Sequence, residues 1–151
     1  MNQRKPDDII DVVTAQHHQV AAMLDAVQQA SPADRAGKFQ SLVDFVGAHE
    51  RAEEEAIYPV LRGLGSRGAS IADDRVAEEE KATQEVAKLQ HMDAASNEFA
   101  AAFAMFSAAV HRHAETEEDL VLGMLRDSLP DGERADMAAH FLAVEDKIHS
   151  H

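Results

Sequence analysis

His49 and Glu53 stand four residues apart in a stretch with helical periodicity, and His113 and Glu117 repeat the pair 64 residues later. Four residues along an α-helix is about 6 Å of rise and about 40° of turn, so the two side chains of each pair point the same way. Both pairs interrupt apolar stripes. The first sits in Phe39, Leu42, Val46, Ala56 and Val60; the second sits in Phe99, Phe103, Phe106, Val110, Leu120 and Met124. A buried charge without a partner costs roughly several kcal/mol. Two such pairs, on faces that have to meet, describe a metal site inside a bundle of helices.

The rest of the chain supplies that bundle. Only four prolines and seven glycines occur, clustered between long segments of helical periodicity, and the pattern predicts an all-α chain. A first helix is expected from about Asp7 to Gln29. A second runs from Pro32 to about Arg62, introduced by Ser31-Pro32-Ala33-Asp34 with Ser31 as its cap. A third spans about Ala69 to His91. A fourth spans about Ala94 to Asp127, with Asp93 as its cap. A fifth, starting near Pro130 and ending near His149, places Met137, Phe141, Val144 and Ile148 on one face. The first four read as a helical hairpin repeated twice. The expectation is an antiparallel four-helix bundle over about residues 7–127, with a short C-terminal helix (about 130–149) packed outside it, all in one domain of residues 1–151.

The remaining two long helices also carry polar residues on their seams. His17 falls within the stripe Ile10, Val13, Val20, Leu24 and Val27, and Glu79 on the weaker line Ala72, Val76, Thr83, Val86 and Gln90, with Leu89 beside it. Every long helix thus places a His or Glu near mid-length on its inner line. The same seams exclude other candidates. His111 and Glu115 are also four apart but lie about 200° from the line through His113 and Glu117, toward solvent. Glu54, Glu55, Glu118 and Asp119 read as solvated flank, His18 as an edge residue, and His91, His140, His149 and His151 as surface residues. Tyr58 and Phe99, Phe103 and Phe106 read as core. Glu50, beside both His49 and Glu53, stays open as an extra oxygen ligand. Imidazole and carboxylate donors without thiolate suit iron, manganese or zinc.

Composition narrows the partners. With 14 Lys+Arg against 28 Asp+Glu, the net charge is −14, which disfavours nucleic acid and anionic membrane surfaces. The absence of cysteine removes disulfides and thiol chemistry. The N-terminal residues lack the apolar core of a signal peptide, and the longest nearly apolar run, Phe99 to Val110, is too short to span a bilayer. A cytoplasmic location is expected.

These residues resemble the pattern of the hemerythrin-like (HHE cation-binding) family, which places a His on the first helix, His-x-x-x-Glu on the second, a His on the third and His-x-x-x-Glu on the fourth. His17, His49/Glu53 and His113/Glu117 match, over about residues 7–127. The resemblance implies a non-haem, oxo- or hydroxo-bridged di-iron centre, with Glu53 and Glu117 bridging and the histidines as terminal ligands. The third helix departs from the pattern: the run there is Ala77-Glu78-Glu79-Glu80-Lys81. Heptad spacing favours Glu79 as the replacement, with Glu80 second. A more anionic site of this kind is expected to favour the ferric state over reversible O₂ carriage.

The functional expectation is a di-iron protein that binds or reduces a small oxidant (O₂, peroxide or NO), with peroxidase-like, catalase-like or oxidase turnover as possible enzymatic outcomes. The alternative is a non-catalytic module that holds metal for storage, sensing or structure. A third reading is a metal-free scaffold whose polar seam residues pair with one another.

Overall fold

The computed structural model describes residues 7–149. Among them every regular element is helical: α1 (Ile9–Gln29), α2 (Pro32–Ala56), α3 (Tyr58–Arg62), α4 (Ser66–Gln90), α5 (Asn97–Thr116), a π-helical stretch (Glu117–Leu122), α6 (Gly123–Ser128) and α7 (Asp131–His149). The all-α expectation holds. The contacts close a ring, α1 with α2, α2 with α4, α4 with α5 and α5 with α1, while α7 lies against α2 and α1.

Helix starts follow local chemistry. The Asp8 carboxylate accepts from the Ile10 N–H at 2.9 Å and caps α1. Pro32 opens α2, but the Ser31 hydroxyl donates to the Asp34 carboxylate at 3.0 Å instead of capping the backbone. The expected cap at Asp93 is displaced by three residues. Asp93 accepts from the Ala95 N–H at 3.0 Å in a turn, and Ser96 caps α5 by accepting from the Phe99 N–H at 3.1 Å.

Two long helices expected as single pieces are interrupted. The second stops at Ala56 and restarts at Tyr58, because Pro59 has no N–H to continue the ladder. The fourth widens into a π-helix at Glu117. That extra residue in the turn moves the buried line: Leu120, expected inward, is 38% exposed, and Val121, Leu122 and Leu125 are buried in its place. Between α3 and α4 the chain turns at Gly65, whose φ of 99° favours glycine.

The core divides in two. Val20, Leu24, Phe39, Leu42, Leu89, Phe99, Phe103 and Phe106 fill one end, with Phe39 meeting Phe99 edge-on at 5.3 Å between ring centroids. Ile9, Val13, Ala52, Ile57, Leu61, Ala72, Val121, Leu125 and Phe141 fill the other. Burying each large apolar side chain is worth about 1.5–3 kcal/mol. That surplus has to offset a layer of charged groups lying between the two clusters along the helices.

Candidate metal centre

All six side chains expected from the seams lie in that layer. His17 on α1, His49 on α2 and Glu117 on the π-helical stretch form one group; Glu53 on α2, Glu79 on α4, His113 on α5 and Glu117 form another. Within each group one donor atom per residue lies within 4.8 Å of all the others. Glu117 belongs to both. Its Oε1 is 3.2 Å from His17 Nε2 and 3.9 Å from His49 Nε2, and its Oε2 is 3.6 Å from His113 Nε2. Glu53 also spans the groups, with Oε1 3.1 Å from His49 Nε2.

The excluded candidates, Glu118 apart, behave as their register requires. His18, His111, Glu115, Glu54, Glu55, Asp119, His91, His140 and His149 are exposed; Glu118, expected as solvated flank, is half-buried, and Glu80, the second choice on the third helix, is exposed. His151 lies outside the described residues. Glu79 is buried where Glu80 is not, so the third-helix register places Glu79 inward. Glu50 is half-buried beside the cluster but belongs to neither donor group.

The cluster leaves an unusual set of atoms without hydrogen bonds. Of seven such buried side-chain atoms among the described residues, five are His17 Nδ1, His49 Nε2, Glu53 Oε2, Glu79 Oε1 and Glu117 Oε2. Orphaned buried polar atoms cost about 1–3 kcal/mol each. Here they concentrate on the residues that could donate to a cation, and their convergence fits a metal site.

The electrostatics carry the same strain. Burial, reinforced by the Glu117 charge and a hydrogen bond to Glu117, pushes Glu53 well above the usual carboxylate range. Burial opposes ionisation of Glu117 too, but the Glu53 carboxyl and the surrounding His113, His17 and His49 rings outweigh it and hold Glu117 well below that range. The two carboxyls are therefore shifted apart, Glu53 toward its protonated form and Glu117 toward its ionised form. Burial raises Glu79 to about 7, against a lowering contribution from its hydrogen bond to Tyr58. Burial and the Glu79 charge raise Glu50 to about 8. Burial works against His113 protonation, yet its bonds to Glu117 and Glu78 and the nearby carboxylates win, and it rises to about 9. Burial is the main cause of the raised carboxyls, and the crowding of neighbouring carboxylates adds to it.

A model of the Hemerythrin family, described as the hemerythrin HHE cation binding domain, matches residues 8–150. The chain belongs to that family. No curated protein and no solved structure matches it. As a hemerythrin HHE domain the chain is a cation-binding protein, and its His/Glu cluster fits the metal site that membership implies.

An outer layer supports the cluster, and the sequence reading missed it. Tyr58, expected as core alone, is buried, and its hydroxyl donates to Glu79 Oε2 at 2.6 Å. Burial and the surrounding carboxylates keep that phenol protonated. Glu78 Oε2 lies 2.7 Å from His113 Nδ1 and is held from behind by the Arg75 guanidinium at 2.9 and 3.2 Å. Gln16 Oε1 lies 2.7 Å from His49 Nδ1. Gln16 and Glu78 each immediately precede a seam residue, and that adjacency was the available signal.

A cavity of about 800 Å³ adjoins the cluster. His17, His49, Glu53, Glu79 and His113 form its polar wall, and Val20, Leu24, Val46, Val86, Phe106 and Val110 form its apolar one.

Proposed function

We propose that this hemerythrin HHE domain holds two iron ions and binds or reduces a small oxidant, O₂, peroxide or NO. The observation that carries the reading is the sharing of Glu117 between two donor groups. One carboxylate that turns one oxygen to His17 and His49, and the other to His113, has the arrangement of a bridge between two cations. In this reading His17 and His49 hold one ion, His113 and Glu79 hold the other, and Glu53 and Glu117 lie between. The donor set of imidazole and carboxylate suits iron, with manganese or zinc as competitors.

Iron held by these residues would supply electrons to an oxidant or a binding position for a diatomic ligand. The protein does the rest. Val20, Leu24, Phe106 and Val110 form an apolar wall of the adjoining cavity, which Glu50, Lys81, Glu85 and Arg112 also line. The Tyr58 hydroxyl fixes Glu79 and keeps a proton beside the cluster. Glu78, backed by Arg75, orients the His113 ring. Glu79 in place of a histidine adds negative charge, which favours the ferric state. The same reading takes residues 7–127 as an antiparallel four-helix bundle with α7 outside it, in one domain; the closed ring of contacts supports it.

The test is anaerobic loading with ferrous iron, a metal count, and addition of O₂, peroxide or NO under absorption spectroscopy. Two irons per chain with new charge-transfer bands and consumption of oxidant are expected. Bound metal without spectral change or consumption would replace this reading with the non-catalytic module, and no bound metal would leave only the scaffold.

A further inference from the structure

We propose that Glu145 on α7, acting through Gln16 on α1, is a positioning residue that fixes the proton of His49 on Nδ1 and frees Nε2 for a metal ion. The inference rests on the reading of His49 as a ligand and extends the site to the C-terminal helix.

The argument is one of direction. Glu145 is buried, 8% exposed, and its Oε1 lies 2.6 Å from Gln16 Nε2. A carboxylate accepts hydrogen bonds and does not donate them, so the nearer Gln16 atom has to be the amide nitrogen. That sets the other face of the amide. Gln16 Oε1 then points at His49 Nδ1, 2.7 Å away, and a carbonyl oxygen only accepts. The His49 proton therefore belongs on Nδ1. The lone pair is left on Nε2, which makes no hydrogen bond and faces Glu53 Oε1 at 3.1 Å and Glu117 Oε1 at 3.9 Å. A lone pair turned toward two carboxyl oxygens is repulsive unless a proton or a cation sits between them. Phe141, also on α7, packs its ring edge-on against the imidazole with centroids 5.5 Å apart and limits its rotation. Outer hydrogen bonds of this kind fix ligand tautomer and orientation at metal sites.

The relay is particular to His49. His113, its counterpart in the repeated hairpin, takes its Nδ1 partner directly from Glu78 on α4, at a half-exposed position. Among the described residues, the His49 side is the one whose relay reaches α7, through Gln16 to Glu145. Removing the carboxylate leaves the Gln16 amide free to turn over, and a turned amide would present N–H to Nδ1 and drive the proton to Nε2.

The experiment uses the full chain. Two-bond proton–nitrogen correlation spectra of ¹⁵N-histidine-labelled, metal-free protein report the tautomer, and competitive titration with Zn²⁺ against a chromophoric chelator reports affinity. Wild type is expected to carry the His49 proton on Nδ1. Glu145→Leu is expected to mix the tautomers and weaken the tighter Zn²⁺ step about 10- to 100-fold, the range found for outer-layer substitutions. The double exchange Gln16→Glu with Glu145→Gln keeps the direction, since Glu at 16 accepts from both neighbours. It is expected to restore the tautomer and bring affinity to within a few-fold of wild type. A His49 proton on Nε2 in wild type, unchanged affinity in Glu145→Leu, or a folded double exchange no better than Glu145→Leu would each overturn the proposal. If Glu145→Leu does not fold, wild type and the double exchange still decide. Failure of wild type to bind Zn²⁺ or iron counts against the proposed function, while the metal-free tautomer still tests the relay.

Discussion

Glu79 and Glu80 are adjacent on α4, and their surroundings separate them completely. Glu79 is buried, accepts from Tyr58, and faces His113 Nε2 at 3.9 Å; Glu80 is exposed. Glu79→Ala is therefore expected to lower the metal count from about two to about one per chain, and Glu80→Ala to leave it unchanged, by metal analysis of purified protein. The opposite result would place the inward face of α4 one residue later. The six seam residues were legible because a polar residue on an apolar line is a local anomaly in sequence. Tyr58, Glu78 and Gln16 were less so, since their partners lie on other helices and only the adjacency of Glu78 and Gln16 to a seam residue hints at them. Arg75 differs: its bidentate partner Glu78 lies three residues on along α4, but the burial of Arg75 beside a half-exposed glutamate has no signal in the sequence.

At the scale of elements, the helices were legible and their interruptions were not. Periodicity and caps locate a helix; the break at Ile57 follows from Pro59 two residues on, while the π turn at Glu117 reflects which side chains have to reach the interior together. Along the fourth segment, Glu117, Val121, Leu122 and Leu125 are all buried, and the wider turn reconciles that line with the Phe99 to Phe106 line before it. Ser96, not Asp93, closes the N-terminus of α5. Ser96→Ala is expected to cost roughly 1 kcal/mol of stability by denaturant titration, the usual loss for a removed cap. Gly68 makes a second constraint. A Cβ there would lie 2.1 Å from the Leu61 carbonyl oxygen, so the first turn of α4 seats directly on the backbone of α3. Because backbone and not a flexible side chain has to move, Gly68→Ala is expected to destabilise by about 1–3 kcal/mol, in the range of overpacked cores. An unchanged midpoint would show that α3 and α4 slide apart freely.

For the whole molecule, the buried layer makes stability depend on pH and metal in a linked way. Glu79 (about 7), Glu50 (about 8) and His113 (about 9) all sit above their ordinary values in the folded chain. The metal-free folded state therefore binds more protons than the unfolded state between about pH 5 and 9, and stability falls as pH rises through that window. For His113 the stabilisation is complete below its unfolded value near 6.5 and is lost as pH passes about 9. Glu117 is shifted the other way, but it acts only below the ordinary carboxylate range. Ordinary carboxylates titrate near pH 4 and contribute little to the window. Denaturant midpoints of the metal-free chain are thus expected to drop steadily from pH 5 to 9. A bound cation reverses the dependence, because it displaces those protons and pairs the charges they neutralised. Metal-loaded protein is expected to show a flat or rising profile over the same range. Titration calorimetry near pH 7, in buffers of different ionisation enthalpy, is expected to show proton release on binding. A metal-free profile that rises from pH 5 to 9, or binding without proton release, would mean that the buried carboxyls are already charged and paired within the protein.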